Sequence, residues 1–146
     1  MADVVTDAID DLTLKLQDVN SVKKKVIYLY DQDDLLDQQK KLGFPAVGIV
    51  YVGMRGNTDS SKTGLAVTLV CDIYLIGGEQ CIDKKADLKS GNTKILDEMR
   101  SYIACSKLTR TGALRKWKFV AESPTDLHPD YLGYVQRWST VVLLTS

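Results

Sequence analysis

The chain of 146 residues has one histidine, His128. A metal centre built on clustered imidazoles is thereby excluded, and any Cys-His or Ser-His-Asp relay would depend on that single ring. Cysteine is also scarce. Cys71, Cys81 and Cys105 are odd in number and form no Cys-x-x-Cys pair, which suits a reducing compartment and structural thiols. Neither sign of charge is in excess, with 19 basic against 19 acidic residues, so no overall field recruits nucleic acid or an acidic membrane. No run of about 18 apolar residues occurs, and the acidic N-terminus does not resemble a signal peptide. These absences lead to the expectation of one soluble cytoplasmic domain over 1–146, long enough to bury a sizeable core.

What is there in abundance is a strand. Leu65, Val67, Leu69, Cys71, Ile73 and Leu75 alternate with Ala66, Thr68, Val70, Asp72, Tyr74 and Ile76, and Gly77-Gly78 follows. Period-two alternation rich in β-branched residues predicts a long strand with one face fully buried. The second face is half apolar, so the strand is expected at the centre of its sheet. Burial of six such side chains contributes roughly 1.5–3 kcal/mol each as an upper estimate.

Around this strand the chain orders itself as helix, strand, helix, strand, strand, helix, strand, strand. Val5, Ala8, Ile9, Leu12, Leu16 and Val19 predict an amphipathic helix over 3–19 with its aspartates on the opposite side. Residues 26–30 form a short edge strand. Asp31 or Asp33 caps a second helix that Gly43 and Pro45 close. A strand at 46–52 leads through a polar loop, 53–64, into the central strand. The third helix lies within 83–104, with Leu88, Ile95, Leu96, Met99, Tyr102 and Ile103 as its buried stripe and Ser90 or Asn92 as alternative starts. A strand at 114–122 alternates Trp117, Phe119 and Ala121 with Lys116, Lys118 and Val120. The loop 123–130 holds two of the three prolines, and a last strand runs over 131–145. This order predicts an α+β fold, a mainly antiparallel sheet of four to five strands with helices packed on one face.

Three motifs suggest chemistry and fail on context. Gly56 to Thr63 differs by one residue from a phosphate-binding loop, with Ser61 where the second glycine belongs, and a strand rather than a helix follows it. His128-Pro129-Asp130 matches the tripeptide of J-domain co-chaperones, but lies between two predicted strands and reads as a turn. Asp31, Asp33 and Asp34 open like a calcium loop, yet Leu42 stands where the twelfth-position glutamate belongs. No cofactor, metal or catalytic residue is expected, and an enzyme is the weaker class. Charge is uneven along the chain, however. Asp3, Asp7, Asp10, Asp11 and Asp18 face Lys15 alone near the start. Between Glu98 and Glu122 the charged residues are Arg100, Lys107, Arg110, Arg115, Lys116 and Lys118. Two solvated faces explain this, or two complementary patches of a head-to-tail oligomer.

The phrases Leu42-Gly43-Phe44-Pro45-Ala46-Val47-Gly48-Ile49, Ile95-Leu96-Asp97-Glu98-Met99-Arg100, Trp117-Lys118-Phe119-Val120 and Val135-Gln136-Arg137-Trp138 surround the long loop and central strand. In that order and spacing the chain resembles the tail terminator proteins of long-tailed, contractile-tailed bacteriophages, over most of residues 1–145. The resemblance implies a structural virion protein: a ring of six copies that caps the tail tube, ends its polymerisation and joins it to the head-side neck or connector. It further implies a location in the virion tail after assembly in the host cytoplasm, and no catalysis, membrane or specific nucleic acid. It carries no invariant site residues. The partner-binding candidates come from the residues themselves: Arg55, Asn57, Asp59 and Lys62 in the loop, and Lys107, Arg110 and Arg115 in the basic stretch. The alternative is a nucleic-acid-contacting neck protein or other binding module, gripping phosphates with the basic stretch and stacking a base on Trp117. Trp117 as core is the competing reading.

Overall fold

The alternation at 65–76 becomes the middle of a five-stranded sheet. The computed structural model describes residues 4–19, 26–29, 46–56, 65–80, 92–104, 116–125 and 131–144. They form α1 (Val4–Gln17), β1 (Val26–Leu29), β2 (Ala46–Gly56), β3 (Leu65–Gln80), α2 (Asn92–Ala104), β4 (Lys118–Thr125) and β5 (Tyr131–Leu144). The sheet order is β1-β2-β3-β5-β4; β1 joins β2 in parallel and every other pair is antiparallel. The fold is α+β, with β3 central.

Register explains the core. Val47, Ile49 and Tyr51 pair with Leu75, Ile73 and Cys71, which pair in turn with Tyr134, Gln136 and Trp138 of β5. Directly paired residues point to one face, and this face enters a single buried cluster with Ala8, Leu12 and Leu16 of α1 and Leu96, Met99 and Ile103 of α2. Trp138 is its largest fully buried side chain.

Several elements depart from the sequence expectation. β2 continues to Gly56, so 53–56 are strand rather than loop, and Arg55 stands opposite Thr68. The register slips between Tyr51 and Gly53, leaving Val52 as the extra residue of a bulge, and Gly53 has φ 154°, a value suited to glycine. The extra residue re-aims the strand and lets pairing resume. Gly77-Gly78 does not end β3, which runs on to Gln80 opposite Tyr131 after an irregularity in the pairing. β4 starts at Lys118 and passes through Pro124, a residue an edge strand tolerates because its outer side needs no donor. Its register slips between Phe119 and Ala121, so Ala121 pairs with Arg137 and leaves the face that Phe119 shares with Trp138. Tyr102 of α2 is exposed rather than part of the buried stripe, whereas the helix start at Asn92 is one of the two expected. The expected helix at 31–43, Leu88, and the loop stretches 57–64 and 126–130 lie outside the described residues.

Not all aspartates of α1 face water. Asp11 is 3% exposed, and its Oδ2 accepts from Lys15 Nζ and from Trp117 Nε1, both at 2.8 Å. A second polar group closes the other end of the core. Trp138 Nε1 donates to Gln136 Oε1 at 3.1 Å, and Gln136 Nε2 donates to Glu122 Oε1 at 2.7 Å and to the Leu96 carbonyl at 3.1 Å. Arg100 donates to the same Glu122 oxygen and to Asp97. These bonds tie α2 to β4 and β5.

Candidate functional site

The face of the sheet turned away from this cluster carries the even-numbered residues of β3. Val70 pairs with Gly53 on one side and Ser139 on the other, and Ser139 pairs with Lys118. One strand further out on each side sits a bulge. Val52 in β2 and Val120 in β4 are the extra residues, and both are about half exposed, at 46% and 50%. A bulge adds a residue that its partner strand does not match and bends the strand. Two bulges flanking the β3–β5 pair, within about one residue of the same level, raise two valines at the margins of the sheet. Between them lies an open pocket of about 430 Å³, lined by Val52, Arg55, Val70, Val120, Arg137 and Ser139 among others.

Charge on this face is fixed by one cross-strand pair. Asp72 and Arg137 stand directly opposite each other, and Arg137 donates from Nε at 2.8 Å and from a terminal nitrogen at 3.0 Å to the two carboxylate oxygens. The hydrogen bonds and charge of Asp72 hold the guanidinium above its already high ordinary value. Arg137 therefore stays charged at any working pH. Burial, and secondarily Asp72, raises the Tyr74 hydroxyl, with Arg137 acting in the opposite direction. Beneath the pair, on the core face, burial and then the adjacent Asp72 push the Cys71 thiol from 9.0 to about 12. Cys71 is a free, buried and neutral thiol, an unreactive one.

Of the seven partner-binding candidates, only Arg55 falls in the described structure, exposed on β2 and lining the pocket. Asn57, Asp59, Lys62, Lys107, Arg110 and Arg115 lie outside it, as do His128 and the aspartates at 31–34. Trp117 is buried and bonded to Asp11, so it has no free ring face for a base. Arg100 is engaged by Glu122 and Asp97 and drops out of any free basic patch. Sequence reading missed Val52, Val120 and Arg137. Gly53 within a strand pattern was the available signal for the first bulge; nothing near Val120 marks the second. Among the described residues no three of His, Cys, Asp and Glu gather as a metal site, and no helix is long and apolar enough to cross a membrane.

No family model matches the chain, and no curated protein is found similar to it.

Proposed function

We propose that this protein is a non-enzymatic component of a phage tail. It forms a ring on the finished tail tube, stops further tube subunits from adding and meets the head-side neck. The resemblance of the sequence phrases to tail terminators motivates the reading. The observation that carries it is the open sheet face, where two bulged valines and the cations Arg55 and Arg137 make a broad, shallow surface. Such a mixture of aliphatic and arginine groups suits a protein contact better than enclosure of a small substrate. A terminator needs one face matching the tube and another that cannot propagate it, because tube growth is heterologous and open-ended.

The nucleic-acid reading is weaker, because its stacking residue is in the core and Arg100 is internally paired. The test is assembly of cognate tube subunits on their tape-measure protein, with and without this protein. Tubes of uniform length in its presence are expected by electron microscopy. Equal, irregular lengths in both samples would overturn the reading.

A further inference from the structure

α1 presents a second surface of the opposite character. Asp7, Asp10 and Leu14 follow the helical i, i+3, i+7 spacing and so share one stripe. Leu14 is 48% exposed although it is a leucine, and Gln17 and Asp18 continue the exposed end of that stripe. The one cation of the helix, Lys15, does not neutralise it, because Lys15 is buried against Asp11. The outward stripe is thus acidic with an apolar centre. The open sheet face has the opposite charge: Val52 and Arg55 on one side, Val120 and Lys118 on the other, and between them Val70, Ser139 and the Arg137–Asp72 pair, Asp72 being its one carboxylate among the described residues. The acidic stripe belongs to the helix that is buried on one face of the sheet, and the basic trough belongs to the other face.

We infer that the trough takes the α1 stripe of a second copy of this chain, with Leu14 between Val52 and Val120, and with Asp7 and Asp10 toward Arg55 and Lys118. The contact is heterologous: each copy offers its stripe to one neighbour and its trough to the other. A rotation at each step closes such a contact into a ring, and without one it grows as a filament. The inference rests on the ring reading above and specifies how the ring is held. It replaces a basic stretch centred on 100–118 with a patch drawn from β2, β4 and β5.

Charge reversal on the whole chain tests it, read by sedimentation and native mass spectrometry. The wild type should form a closed oligomer that loosens as salt rises. Asp10→Lys and Arg55→Glu should each weaken association by roughly tenfold or more through like-charge contact, and the two together should restore most of it. Val120→Glu is an independent variant that should also weaken it, with unchanged far-ultraviolet circular dichroism showing that the fold is kept. An oligomer indifferent to these changes would overturn the contact and leave the ring reading standing. So would losses in both single variants that the double variant does not recover. A wild type monomeric at every concentration would overturn the self-contact, and tube lengths would still decide the capping function separately.

Discussion

Asp11 is a carboxylate under a helix, and its value to the fold depends on both of its donors. Substitution by alanine would leave the Lys15 ammonium and the Trp117 N–H buried without that partner, a cost of about 3–5 kcal/mol for breaking a buried ion pair. Changing Asp11 and Lys15 together to Leu and Met should cost clearly less, because no orphaned charge remains. Urea denaturation of the three proteins measures the difference. Cys71 gives a second residue-scale outcome. Its pKa is raised in the folded state, so its contribution to stability is full below the ordinary value of 9.0 and is lost as pH rises toward about 12. Stability should fall across that window with a slope approaching about 1.4 kcal/mol per pH unit from this one group. Tyr51 and Tyr74, also raised by burial first, act in the same direction. Cys71→Val should flatten the slope, and an unchanged slope would show that the thiol is not the titrating group.

At the scale of elements, the two bulges decide what the sheet presents. Gly53 has no neighbour within 4 Å of where a Cβ would sit, so a side chain there meets space but must adopt φ 154°. Gly53→Val should therefore destabilise by about 1–3 kcal/mol through backbone strain alone. It should also flatten the trough and lower self-association beyond the loss of stability. Equal stability by thermal melting would contradict the strain argument. This element also shows where sequence reading stops. The central strand, the core face of α1 and, Tyr102 apart, the described part of the buried stripe of α2 were legible, because periodicity reports which face is buried. The extent of β2, the passage of β4 through Pro124 and the burial of Asp11 were not. Each depends on a particular partner rather than on local pattern: Val67 opposite Gly56, Tyr134 opposite Pro124, and Trp117 on Asp11 across most of the chain. Of the candidate site, one residue in seven was placed within the described structure. The other lining groups owe their positions to pairing registers that no local pattern encodes.

For the whole molecule, the most extensive pairing is also the least local. β3 is hydrogen-bonded on one side to β2, its neighbour in sequence, and on the other to β5, with α2 and β4 intervening. A hairpin of β2 and β3 can form early, but the second edge of β3 waits for a long loop to close, and loop entropy must be met before those contacts contribute. Folding time should therefore be set by the arrival of β5. On a ribosome, a nascent chain that has not yet extruded residues 131–144 holds a half-sheet with one apolar strand edge bare and no Trp138 in its core. Such an edge invites pairing with other chains. Pulse-labelled refolding should show amides of β2 protected before those of β5, with Trp138 fluorescence following the slower phase. Simultaneous protection of both strands would mean that the distant pairing forms first, and the hazard on the ribosome would disappear with it.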